Sequence, residues 1–166
     1  MSLPHPDRQF LSLACAIVTV SDTRTPESDR SGQLLNQRLT DAGHQIINYD
    51  ILKDEPHSII AHIQQLKQEN KIDVIILNGG TGIAPRDTTY DALEGLLEKT
   101  LPGFGELFRY LSYQKIGSRA MASRAIAGVY ENILIFSLPG SSNAVKLALD
   151  KLILPELIHL TKQIRS

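Results

Sequence analysis

The 166-residue chain contains no tryptophan and one cysteine, and only 5% of its residues are aromatic. With Cys15 alone, no intramolecular disulfide can form. Stability must come from a packed core, and the pattern fits a reducing, cytoplasmic setting. Cys15 itself reads as a small buried residue in a strand. Neither sign of charge dominates: 17 Lys and Arg face 18 Asp and Glu, for a net charge of −1. No bulk field therefore favours nucleic acid or anionic lipid, although a local basic patch is not excluded. Long apolar runs are missing too, so no membrane span is expected. The five histidines are scattered. His57 and His62 do not share a helical face, and no zinc spacing appears. There is no GxSxG elbow for a nucleophilic serine, no GxGxxG fingerprint, and no Gly-Lys-Ser/Thr of a Walker loop. Internal repeats and low-complexity tracts are absent.

What remains is ordinary globular composition, 42% hydrophobic and 21% charged, sized for one domain. The opening MSLPHPDRQF has two prolines and no apolar h-region. It reads as a flexible tail over 1–10 rather than a signal peptide, before a single domain over 11–166. Residues 14–20 (ACAIVTV), 73–77 (DVIIL) and 133–136 (ILIF) are short, nearly continuous apolar runs, as expected of buried parallel strands. Residues 45–52 (QIINYDIL) form a more polar strand, nearer an edge.

Helical spacing marks 31–42, stopped by Gly43, and 56–70, opened by Pro56. It also marks 88–99, where Thr88 and Asp91 resemble a capping box. A last helical stretch, 143–164, contains Pro155, which predicts a kink or a break. Alternating strands and helices imply a three-layer α/β/α fold with a mostly parallel sheet. Ligands in such folds bind beyond the carboxyl ends of the strands. That selects Ser21 and Asp22, Lys53 and Asp54, residues 78–87, and residues 137–143.

The 78–87 stretch, NGGTGIAPRD, carries the strongest chemistry. Gly79, Gly80 and Gly82, with Thr81 between them, can turn backbone N–H groups toward an anion. The same glycines equally suit a tight turn between strand and helix. Arg86 offers a fork for phosphate oxygens, and Asp87 is a hard oxygen ligand suited to Mg²⁺; Asp87 also suits a helix cap. Asp54 reads either as a first-turn acid or as a second carboxylate at the same end of the sheet. Two acids beside a phosphate loop would make a metal–triphosphate site. In SLPGSSNAV, Pro139 and Gly140 turn the chain, and Ser141, Ser142 or Asn143 can cap the following helix. Aromatics gather in PGFGELFRYLSY, where Phe104, Phe108 and Leu111 share a helical face. They serve either the intrachain core or a subunit interface.

Taken together, VSDTR (20–24), DRSG (29–32), LKDE (52–55), NGGTGIAPRD (78–87), PGFGELFR (102–109), SRAIAGV (123–129) and SLPGSSNAV (137–145) resemble, in order, the MoaB/MogA proteins of molybdenum-cofactor biosynthesis. The stretch from GFGELFRYLSYQKIGS to SRAIAGV is closer to the MoaB branch. The resemblance implies a molybdopterin-binding fold and Mg²⁺-dependent adenylylation of molybdopterin by ATP, giving adenylyl-molybdopterin and pyrophosphate. It puts the two functional aspartates on Asp54 and Asp87, as catalytic residues and as ligands of Mg²⁺. Phosphate cradling falls on Gly79, Gly80, Thr81 and Gly82. Further substrate or nucleotide contacts fall on Ser21, Asp22, Arg86, Ser123, Arg124, Pro139, Gly140, Ser141, Ser142 and Asn143. Many relatives carry proline where this chain has Ser142, which would shape that loop differently. Members of the MoaB branch vary at the Arg-Asp pair, and some are catalytically idle; here Arg86-Asp87 is intact. A trimer or hexamer and a downstream molybdate-inserting enzyme are the implied partners. The competing readings are a non-catalytic molybdopterin carrier and a generic nucleotide-binding domain.

Overall fold

A computed structural model describes residues 9–69 and 71–166. The tail expected over 1–10 lies outside the described residues apart from Gln9 and Phe10. Phe10 stacks on His44 with ring centroids 6.1 Å apart.

Among the described residues one sheet has the order β2-β1-β3-β6-β5-β4. Strands β1 (Ala14–Val20), β2 (Gln45–Leu52), β3 (Val74–Asn78) and β6 (Ile133–Leu138) are parallel. β1 and β3 have apolar neighbours above and below, and each is buried over nearly its whole length. The more polar β2 is half-buried and occupies the edge, as its composition predicts.

Helices cover both faces. On one, α1 (Arg30–Asp41), α4 (Pro102–Ile116), α5 (Ser142–Ala148) and α6 (Leu154–Arg165) pack Leu35, Leu39, Phe104, Phe108, Val145 and Leu157 onto Ile17, Ile76 and Phe136. On the other, α2 (Pro56–Glu69) and α3 (Thr89–Leu96) pack Ile59, Ile63, Leu66 and Leu93 onto Val18, Ile75 and Ile135. The alternation of Leu134, Ile135 and Phe136 between the two clusters is the two-residue period of a strand.

Two local differences from the expected elements have clear causes, and the break expected at Pro155 is present. The helix expected over 88–99 ends at Leu96, because Lys99–Thr100 pairs antiparallel with β5 (Ile126–Tyr130) as the short β4. β5 itself runs antiparallel to β6, turning through Glu131 and Asn132, both at positive φ. The capping box does not form. Thr88 makes no side-chain cap, and its hydroxyl donates instead to Asp54 Oδ1 at 2.6 Å. The kink at Pro155 takes the form of a π turn, Leu149–Ile153, between α5 and α6. Proline has no N–H for the carbonyl one turn back, and the widened turn absorbs that loss.

Candidate functional site

The parallel strands end in one row. Thr19 pairs with Asn78, Val20 with Leu52, and Asn78 with Leu138. The chain segments leaving them are stitched together at once. Ser21 N–H donates to Leu52 O at 2.8 Å, Gly79 N–H to Leu138 O at 2.9 Å, and Asp54 N–H to Asp22 Oδ1 at 3.2 Å.

A cavity of ≈ 540 Å³ opens at this rim. It is lined by Ser21, Gly79, Gly80, Thr81, Gly82, Asp87, Ser123, Pro139, Gly140 and Ser141 from the expected set. Gly79 and Gly80 have φ of 108° and 67°, conformations that favour glycine. A Cβ on Gly79 would sit 2.1 Å from Val20 O, and one on Gly80 2.1 Å from Thr89 Oγ1. The backbone there is therefore packed tightly from behind. Among the described residues the amides of Gly80, Thr81 and Gly82 make no hydrogen bond. Three successive unpaired N–H groups on residues that line the cavity are the donor set an anion-binding nest uses.

The two aspartates hold different positions. Asp87 lines the cavity, and its Oδ2 accepts from Ala84 N–H at 2.9 Å, closing the turn. Asp54 is buried behind the nest: its Oδ1 accepts from Thr88 N–H and Oγ1, and its Oδ2 would lie 2.5 Å from a Cβ on Gly80. It does not cap its own helix; it braces the opposite loop.

Arg86, Asp22 and Arg124 do not line the cavity. Arg86 directs its fork at Asp22 Oδ2, 2.8 Å from Nη2, and its other Nη at Glu55, 3.0 Å away. The hydrogen bond from Arg86 holds the Asp22 carboxyl below its usual range. Arg124 grips the loop from outside: Nε donates to Gly82 O and Nη2 to Asp87 O, both at 2.9 Å, while Nη1 pairs with Asp91. Its guanidinium also lies 4.9 Å from the centre of the Tyr90 ring. Ser141 caps α5 through Ala144 N–H, and Asn143 lines a neighbouring cavity. Ser142 opens α5 without lining either cavity.

Three residues at this rim lie outside the expected set: Arg24 on the cavity wall, and Asp29 and Thr89 buried behind it. Arg24 lines it and joins three segments: Nη2 donates to Gly140 O at 2.6 Å and Nη1 pairs with Asp29 at 3.3 Å, with Ser31 alongside. Asp29 is fully buried and accepts from Thr19 Oγ1 at 2.5 Å and Tyr49 OH at 2.6 Å. Burial alone would raise its pKa. The hydrogen bonds from Thr19, Tyr49 and Gly32 N–H, with the charge of Arg24, outweigh it and bring the pKa below the usual value. Ser123 lines the cavity, and among the described residues its buried hydroxyl and the fully buried Thr89 hydroxyl behind Gly80 have no partner. VSDTR and DRSG flagged the Arg24 and Asp29 segments; nothing local marks Thr89.

Residues 16–159 match the family described as "Probable molybdopterin binding domain". The chain is 52% identical over 158 residues to molybdenum cofactor biosynthesis protein B of Bacillus cereus, covering 95% of this chain and 94% of that one. A crystal structure of a molybdenum cofactor biosynthesis protein B superposes with a TM-score of 0.90 at 49% identity, covering 98% and 99% of the two chains. The tungsten cofactor synthesizing protein MoaB from Pyrococcus furiosus gives 0.84 at 32% identity, covering 93% and 98%. With a family match over most of its length and half its residues shared with such relatives, the chain belongs to the MoaB/MogA family of molybdenum-cofactor biosynthesis proteins, in its MoaB branch.

Proposed function

We propose that this member of the molybdenum-cofactor pathway adenylylates molybdopterin. An oxygen of the terminal phosphate of molybdopterin forms a bond to the α-phosphorus of ATP. The bond from that phosphorus to the α,β-bridging oxygen breaks, and pyrophosphate leaves with the electron pair. The observation that carries this reading is the row of unpaired amides at Gly80, Thr81 and Gly82 in a cavity that Asp87 also lines. Transfer of this kind needs positioning and charge compensation more than covalent help from the protein. Amides held in place by Thr89 and Asp54 behind Gly80 and by Asp87 beside Gly82 would stabilise phosphate charge with little reorganisation. The Ser123 hydroxyl would add a donor, and Arg24 would keep the Gly140 turn against the cavity.

Mg²⁺ fits this donor set as an ion carried in on a triphosphate. Among the described residues no group of three or more His, Cys, Asp or Glu converges as a metal cage. This ion is ordinarily held by one or two carboxylates, with phosphate oxygens and water completing its shell. Asp87, on the cavity wall, would supply the carboxylate; Asp54, expected as a second ligand, lies behind Gly80 and bonds Thr88 instead. Bound there, Mg²⁺ contributes positive charge beside the phosphates.

The carrier reading has one observation in its favour: Arg86 is already paired with Asp22 and Glu55 rather than turned toward the cavity. The two readings part on pyrophosphate, which only the enzyme releases when ATP and molybdopterin are both present. The same reading carries a homo-oligomer, trimer or hexamer, and a molybdate-inserting enzyme that takes the product.

A further inference from the structure

Beside the reaction cavity lies a second one of ≈ 500 Å³, between the carboxyl half of α4 and the α5–π turn segment. The two share Ser112, Ile116, Ser141 and Ala144, so they adjoin at the Ser141 turn. Lys115, Lys146 and Lys151 line it. Among the described residues none of these ammonium groups has an ion-pair partner. The single carboxylate on the lining, Asp150, is paired with Arg38 of α1 and leaves the lysines uncompensated. In a chain with net charge −1, this is a local concentration of one sign. Three like charges around one concavity repel each other, and a small polyanion would relieve that repulsion. The Asn143 amide and the Ser112 and Ser141 hydroxyls add neutral donors.

We propose that this second cavity is a diphosphate-binding annex, taking the β- and γ-phosphates of ATP and the pyrophosphate formed from them. The inference rests on the adenylylation reading for its place in the reaction. The amide nest would hold the phosphate under attack, and the lysines would hold the leaving group next door. Lysine suits this work as a mobile point charge that does not demand one geometry.

The test is a Lys115→Gln, Lys146→Gln, Lys151→Gln triple variant; all three side chains are exposed, so the fold should survive. Inorganic pyrophosphate and AMP are titrated into full-length wild type and variant by calorimetry, without turnover. The expected result is pyrophosphate affinity weaker by about tenfold or more in the variant. AMP, which lacks the outer phosphates, should bind within about twofold of wild type. In the adenylylation assay KM for ATP should rise alongside. Equal pyrophosphate binding by both proteins, or none by wild type, overturns the annex. If wild type binds pyrophosphate through the lysines yet forms no adenylyl-molybdopterin, the diphosphate site stands and the reaction assigned to its neighbour falls.

Discussion

Arg124 turns its guanidinium toward two backbone carbonyls of the glycine loop instead of toward the cavity. In the proposed reaction its place is therefore to fix where Asp87 and the free amides stand. Lysine at this position keeps the charge but loses the fork. Arg124→Lys should lower kcat for adenylylation by roughly ten- to a hundredfold, with KM changed less; unchanged kcat would remove the positioning role. Asp29 makes a second prediction. Its carboxyl has a lower pKa folded than unfolded. The stability it contributes is complete above the unfolded value of about 3.9 and is lost as pH falls through the folded one. Urea midpoints of the wild type should drop through that acid window, and Asp29→Asn should show a shallower drop from a lower starting point. An identical pH slope in both proteins would contradict this. Position after a strand was enough to place Asp87 and the glycines at the rim, but not to foresee that Asp54 sits behind Gly80 and bonds Thr88 instead of facing the cavity. Arg24 was not legible, because its partner Gly140 lies 116 residues away. Arg86 was legible as a charge but not as a pair, since Asp22 comes from another loop.

At the scale of elements, α4 both fills the core and walls the site. Phe108 is buried against the sheet-facing cluster and also lines the rim cavity. Phe108→Ala should cost about 3–5 kcal/mol of stability, read from chemical denaturation, because the vacated volume cannot collapse against a rigid sheet. A loss below about 1 kcal/mol would mean the packing there is loose. The four parallel strands and their helices followed from apolar runs and helical spacing. The hairpin partner β5 did not stand out, because IAGVY is short and half-buried at its far end. β4 is two residues long and exists only through pairing with β5. The π turn before Pro155 was readable as a disturbance, because proline's missing N–H is a local fact.

For the whole molecule, the outward face of α4 presents Leu107, Tyr110, Tyr113 and Ile116, each more than half exposed, with Met121 beyond the helix. The aromatics of this stretch thus divide. Phe104 and Phe108 serve the core, while Tyr110 and Tyr113 remain on the surface. A second copy of the chain is the occupant that the homo-oligomer reading supplies for this face. Light scattering should give a trimer or hexamer for the wild type, and Tyr110→Asp with Tyr113→Asp should shift it toward monomer. A monomeric wild type at micromolar concentration would contradict the assembly.

The most direct test is to mix purified protein, molybdopterin, ATP and Mg²⁺ and follow adenylyl-molybdopterin and pyrophosphate together. Wild type should form them in equal amounts, and Asp87→Asn should form neither while still binding molybdopterin. Wild type that binds both substrates and releases no pyrophosphate would contradict the catalytic assignment and leave a carrier in its place.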